Sequence, residues 1–231
     1  MWNGKKKAVT FSFDDGVLQD IDTIAILNKY GLKGTFNLNS GLFSTKNTIF
    51  WTERYVCRDK INAEDVRKIY EGHEVAVHTL NHPSLAKVED DAEVIRQVEE
   101  DRKALSELCG YEVVGMAYPN GSTDERVIRL IRENTGVKYA RNVKDNFKFD
   151  LQTELLDFCP SVHYIDEKLE QVVEEFLALE TDEPQLLYIW GHTYALDSAF
   201  IDRARFEAVC KKLAGKSDIF YGTNKEVLLE K

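Results

Sequence analysis

Asp14 and Asp15 stand side by side in Phe13-Asp14-Asp15-Gly16, at the point where a strand-like run gives out. Adjacent carboxylates repel, and burying both without a cation is costly. The pair therefore suggests a metal ion on one and proton transfer by the other. The same run also reads as a solvated Asp-Gly turn, with glycine letting the backbone reverse tightly. His78 and His82 are separated by three residues, and Pro83 fixes the exit of the chain. Both imidazoles can face one ion. Histidine nitrogen and carboxylate oxygen are the usual ligands of a catalytic zinc, and two histidines with one aspartate leave positions open for water and substrate. Taken alone, the histidines are equally two unrelated polar side chains on a loop. Position joins them to the aspartates: both motifs fall at C-terminal strand ends, where barrel active sites assemble.

Seven short β-rich runs supply those strands, at 8–13, 34–39, 74–79, 113–118, 138–143, 186–190 and 219–221. Amphipathic stretches alternate with them. Ile21, Ile24, Ala25 and Leu27 recur at helical spacing before Gly31, Asn62 can cap a second helix, and 92–108 is a long charged helix ending at Gly110. Ser122 or Thr123 can cap the next. Leu169, Val172, Val173, Phe176 and Leu177 mark another, and a last one runs through 206–213. The alternation predicts a parallel α/β fold. Few prolines and no Ser/Gly linker favour one (β/α) barrel domain over 1–231 with about seven parallel strands, an open doubly wound sheet being the alternative. The stretch 40–60 has no clear periodicity and reads as a functional loop. Its Phe43, Phe50, Trp51 and Tyr55 offer flat faces that can stack on a sugar ring or pack over the barrel rim.

With 43% hydrophobic and 30% charged residues, the chain has the balance of a protein that buries a sizeable core. Forty acidic against thirty basic side chains leave a net charge of -10, which repels phosphate backbones and anionic lipid. No nucleic-acid or membrane partner is expected, and a neutral or cationic one fits better. No run approaches the roughly 20 apolar residues needed to cross a bilayer. The start, Met-Trp-Asn-Gly-Lys-Lys-Lys, leads into a strand rather than an apolar signal core, so a cytoplasmic location is the expectation for the chain as given, and secretion would require a signal outside it. Cys57, Cys109, Cys159 and Cys210 lie far apart without a Cys-x-x-Cys pair, which signals neither a thiolate zinc site nor a disulfide scaffold. Reduced, mostly buried thiols are expected.

Phe11-Ser12-Phe13-Asp14-Asp15-Gly16 and the run from Gly72-His73-Glu74 to His78-Thr79-Leu80-Asn81-His82 resemble the first two signature motifs of the polysaccharide deacetylases, the NodB-homology domains of carbohydrate esterase family four. Ala117-Tyr118-Pro119-Asn120-Gly121 is similar to the third motif, and Leu187-Tyr188-Ile189-Trp190-Gly191-His192 to the last. The resemblance implies a distorted (β/α) barrel in which Asp15, His78 and His82 bind a divalent metal ion. Zinc is the first expectation, with cobalt, nickel or manganese as substitutes. It further implies that Asp14 is the general base and His192 the general acid. The Asn120 backbone N–H would contact the oxyanion, and Tyr118 and Trp190 are candidate substrate contacts. The reaction expected is removal of an acetyl group from an N-acetylated (or O-acetylated) sugar, small or oligomeric. A non-sugar amide is the alternative substrate, and an inactive carbohydrate-binding relative is a second alternative.

Two departures from the family pattern stand out. Ala117 occupies the place of an arginine that commonly orients the base, and Asn120 that of a tyrosine. Arg141, at the end of the next strand, is the candidate to supply the missing cation. The fourth motif, an aspartate and tryptophan pair that tunes the acid histidine, has only Asp145 as a candidate. His73 opens a buried strand and is expected to be structural, while His163 ends a short apolar segment that can be a further strand pointing into the pocket.

Overall fold

The computed structural model describes residues 1–51, 54–197 and 203–230. In chain order the strands and helices are β1 (Lys7–Asp14), α1 (Asp20–Lys29), β2 (Gly34–Leu38), β3 (Thr48–Trp51), β4 (Arg54–Cys57), α2 (Val66–Ile69), β5 (Glu74–Val77), α3 (Asp91–Cys109), β6 (Gly115–Ala117), α4 (Glu125–Asn134), β7 (Tyr139–Arg141), β8 (Val162–His163), α5 (Leu169–Ala178), β9 (Gln185–Gly191), α6 (Arg203–Leu213), β10 (Ile219–Tyr221) and α7 (Asn224–Leu228). Eight strands form one sheet in the order β7-β6-β5-β2-β1-β9-β8, with β10 beside the first half of β1. Every pairing in it is parallel. Phe158 bridges to Arg141 at the end of β7, and β8 pairs with β9, so the short stretch 158–163 spans the seam between the two edges. The fold is the distorted (β/α) barrel expected from the strand and helix alternation, with a two-residue eighth strand added.

The alternation Val9-Thr10-Phe11-Ser12-Phe13-Asp14 explains how β1 sits in this barrel. All eight of its residues are buried, as a parallel strand covered on both faces requires. Successive side chains point to opposite faces. Phe11 and Phe13 pack outward against Phe206 of α6, with Phe36 and Tyr164 also against Phe13. Thr10, Ser12 and Asp14 face a polar interior, where Thr10 meets Asn224 and Ser12 meets Asn37 and Arg141. An aromatic exterior thus clamps the strand whose last residue is Asp14.

Some local readings change. Asp124, not Ser122 or Thr123, caps α4 by accepting from Val127 N, because the Ser122 hydroxyl is engaged with the amide of Ala86. Asn62 precedes the turn leading into α2, but its side chain bonds Asp65 instead of a helix amide. The stretch 40–60 is not all loop: β3 and β4 form an antiparallel hairpin there. Four-residue strands carrying Thr-Ile-Phe-Trp and Arg-Tyr-Val-Cys leave too short a pattern to read. Phe50 and Tyr55 face each other across it, 65% and 80% exposed, whereas Phe43 packs on the core and the Trp51 side chain lies outside the described residues. The four cysteines are free, Cys109 and Cys210 buried, Cys159 half-buried and Cys57 exposed. No helix among the described residues is long and apolar enough to cross a membrane.

Candidate active site

The carboxylates come from the end of β1. Asp14 is buried, and its Oδ1 accepts hydrogen bonds from Arg141 Nη2 at 2.5 Å and Asn37 Nδ2 at 2.8 Å. Arg141 Nη2 also lies 2.6 Å from Oδ2. Burial works against the charge on Asp14, but the Arg141 guanidinium, with His78 and His192 nearby, holds its carboxyl below the usual carboxylate range. Asp15 turns away on a left-handed backbone at φ 88°, followed by Gly16 at φ 61°. Its carboxylate receives Arg58 Nη2 at 2.7 Å and Lys60 Nζ at 3.3 Å. Burial again opposes its charge, and Lys60 together with the nearby imidazoles and Arg58 lowers its pKa in spite of it.

His78 follows β5, where its amide is shared between Leu38 O and Asp101 Oδ2. Its Nδ1 sits 2.8 Å from the Ala117 carbonyl, which can only accept, so the proton is on Nδ1 and Nε2 is left as a donor atom for a metal. Burial pushes the His78 pKa down to about 4 and lowers that of His82, which keeps both rings neutral at pH 7. Asp15, His78 and His82 each present a ligand atom within 4.8 Å of the others. One carboxylate oxygen and two neutral imidazole nitrogens at this spacing fit a divalent ion and leave positions for water and substrate. Eight non-glycine residues among those described have a left-handed backbone, and four of them (Asp15, Thr79, His82 and Asn120) belong to these turns. Such conformations are costly and tend to persist where side chains must be aimed.

His192 follows β9. Its Nε2 is 4.0 Å from Asp14 Oδ2, and burial lowers its pKa against the pull of the two aspartates. Its segment is fastened on both sides: Tyr164 OH donates to its carbonyl, and Thr193 Oγ1 donates to Asp20 at 2.5 Å. A cavity of about 440 Å³ lies over this group, lined by Asp14, Asp15, His78, His82 and His192 together with Arg58, Asn120, Val143, Trp190 and Tyr194.

The remaining candidates divide. Asn120 and Trp190 line the cavity. Tyr118 does not: it is fully buried, and its hydroxyl donates to Leu156 O at 2.7 Å, because the turn after β6 points the side chain into the wall. His163 stands behind the cavity, edge-on to Trp190 at 4.5 Å, with Nδ1 accepting from Ile165 N. Arg141 is fully buried and reaches Asp14 from the end of β7, the strand beside β6, where it lies in register with Ala117. Asp145 accepts from Trp190 Nε1 at 2.6 Å, an aspartate and tryptophan contact placed beside the Arg141 guanidinium, which stacks 4.4 Å over the Trp190 ring. His73 is structural: Nδ1 accepts from Gly34 N, and Nε2 meets Asn28.

Several site neighbours carried no motif. Asn37 and Asn39 alternate along β2 and its end, the first bonding Asp14 and the second the carbonyls of His78 and Thr79. Pairing of β1 with β2 puts Asn37 opposite Asp14, so the polar alternation of Asn37-Leu38-Asn39 was the available signal. Arg58, Lys60 and Asp101 gave none, since their approach depends on the hairpin and on α3.

A model of the polysaccharide deacetylase family matches residues 2–140. The peptidoglycan-N-acetylglucosamine deacetylase PgdA of Listeria monocytogenes is 26% identical over 128 residues, 54% of this chain and 24% of that protein. The chain thus spans about a quarter of the length of this curated relative. Among solved structures, the family 4 acetyl xylan esterase of Clostridium thermocellum, with a cobalt ion, superposes at TM-score 0.61 with 15% identity, covering 96% of this chain and 90% of that one. A carbohydrate esterase family 4 pseudoenzyme of Bacillus anthracis gives 0.57 with 15% identity, covering 96% and 66%. At such identities the superpositions speak to the fold. The family match runs through both the aspartate pair and the two histidines and over more than half of the chain, and by it the chain belongs to the polysaccharide deacetylase family.

Proposed function

We propose that the protein is a metal-dependent deacetylase that hydrolyses an N-acetyl or O-acetyl group on a sugar, with N-acetylglucosamine oligomers as the leading substrate class. The observation that carries this reading is the convergence of Asp14 and His192, 4.0 Å apart, beside three ligand atoms that lie within 4.8 Å of each other. Asp15, His78 and His82 would hold the ion, with zinc favoured by the donor set. When bound, it supplies positive charge that acidifies water and polarises an amide carbonyl.

The protein's own groups do the rest. Arg141 Nη2 lies against both oxygens of Asp14 and Asn37 adds a bond to Oδ1, so Oδ2, with one partner fewer and on the side facing His192, is the atom that takes the proton of the attacking water. Water oxygen bonds to the acyl carbon, and the bond from that carbon to nitrogen breaks. His192 Nε2 delivers a proton to the departing nitrogen, giving acetate and a free amine. Each proton transfer contributes about a hundredfold to ten-thousandfold. The Asn120 backbone N–H is proposed to meet the oxyanion, and Trp190 to form a wall for the sugar.

Arg141 in contact with Asp14 argues against a relative that only binds carbohydrate, since it restores the cation missing at Ala117. Asp14→Asn is the decisive variant. It should keep the ion, measured by metal analysis, and lose at least about a hundredfold in acetate release. Full activity in that variant would remove the proposed base, and release from a non-sugar amide alone would redirect the substrate assignment.

A further inference from the structure

Asp14 and Asp15 are matched by more cations than they need. Arg141 pairs with Asp14, and Lys60 serves Asp15 through both its carboxylate and its backbone carbonyl. Arg58 adds a third positive charge, 2.7 Å from Asp15 Oδ2. Nearby acids do not offset it. Both oxygens of Asp20 are held by hydroxyls, those of Thr193 and Tyr70, and Asp145 is turned to the Trp190 N–H and the amide of His163. Arg58 also differs from the other two cations in placement. It alone of the three lines the cavity, its guanidinium rests 4.8 Å over the Tyr194 ring, and its side chain is 21% exposed against 8% for Lys60 and 0% for Arg141. Its buried Nε has no hydrogen-bond partner among the described residues.

A guanidinium stacked on an aromatic ring and opening onto a cavity is a preformed receptor for carboxylate or phosphate oxygens. Keeping such a cation beside a carboxylate that already has an ammonium partner, and that would also ligate a divalent ion, is electrostatically unfavourable unless an anion completes the group. We infer that Arg58 is a specificity-determining residue, which recognises an anionic substituent, carboxylate or phosphate, carried by the acetylated substrate itself. This rests on the deacetylase reading and narrows its substrate class to acidic N-acetylated sugars.

The test compares chelator-sensitive acetate release from three sugars: N-acetylglucosamine, its 6-phosphate, and its 3-O-lactyl ether, in wild type, Arg58→Gln and Arg58→Lys. The phosphate and carboxylate arms separate the two anion sources. Expected is a kcat/KM at least about tenfold higher for one acidic sugar than for the neutral one. That ratio should collapse toward one in Arg58→Gln, mainly through KM, and recover in part in Arg58→Lys. Equal or better turnover of the neutral sugar by wild type, or an unchanged ratio in Arg58→Gln, overturns the inference while leaving the deacetylase reading intact. Absence of acetate from all three sugars overturns the inference, and the deacetylase reading falls with it only where N-acetylglucosamine oligomers also release none.

Discussion

A single buried pair sets the chemistry of the site at the residue scale. Arg141 is fully buried against Asp14, and a carboxylate left there without its cation would pay the full cost of desolvation. Arg141 lowers the pKa of Asp14, so its loss must raise it. As the proposed base, Asp14 works only when ionised, so in Arg141→Gln the low-pH limb of the kcat/KM profile should move to higher pH. A rate loss with an unmoved limb would mean that the arginine merely supports the fold. The pair was only partly legible in sequence. Asp14 and Asp15 announced themselves by adjacency, and His78 and His82 by spacing. Arg141 entered as a candidate because Ala117 left a charge unaccounted for, but its contact depends on strand order, which no local pattern encodes. Tyr118 shows the reverse: a residue inside a recognised motif whose side chain the turn directs away from the cavity.

Elements set the positions of these residues, and two of them permit sharp tests. Gly115 of β6 lies opposite Tyr139 of β7, and an added Cβ would fall 2.0 Å from the Tyr139 hydroxyl. That hydroxyl is fixed by donating to Glu74 in the interior, so the ring cannot yield cheaply. Gly115→Ala should therefore destabilise by about 1–3 kcal/mol, read as a lower denaturant midpoint with unchanged slope. An unaltered midpoint would show that β6 and β7 adjust freely. At the same end of the sheet, just before Glu74, burial and the charge of Lys33 push His73 down to about 4 from an ordinary value of 6.5. A depressed histidine contributes stability that is complete above pH 6.5 and is lost as pH falls toward 4. Its ring signals in NMR should accordingly titrate near pH 4, and a midpoint near 6.5 would contradict the burial. The longer periodic strands and helices were readable because burial on one or both faces repeats along them. The β3–β4 hairpin, the two-residue β8 and the five-residue α7 are too short to leave such a repeat.

Across the whole molecule, net charge and local field point in different directions. The chain carries -10 overall, which favours neutral or cationic partners at a distance. Within contact range the balance is set by Arg58, Lys60 and Arg141 around two carboxylates, since charges farther away than about 8 Å are largely screened at physiological salt. Parallel strands that end together explain why residues as distant in sequence as Asp14, His78 and His192 meet at one rim. The most direct test of the account is acetate release from N-acetylated sugars by one purified preparation, assayed as isolated, after chelation, and after a divalent ion is restored, with bound metal counted at each stage. The account predicts one ion per chain, loss of both ion and acetate release on chelation, and recovery of both together. Undiminished release from protein shown to be free of metal would contradict it.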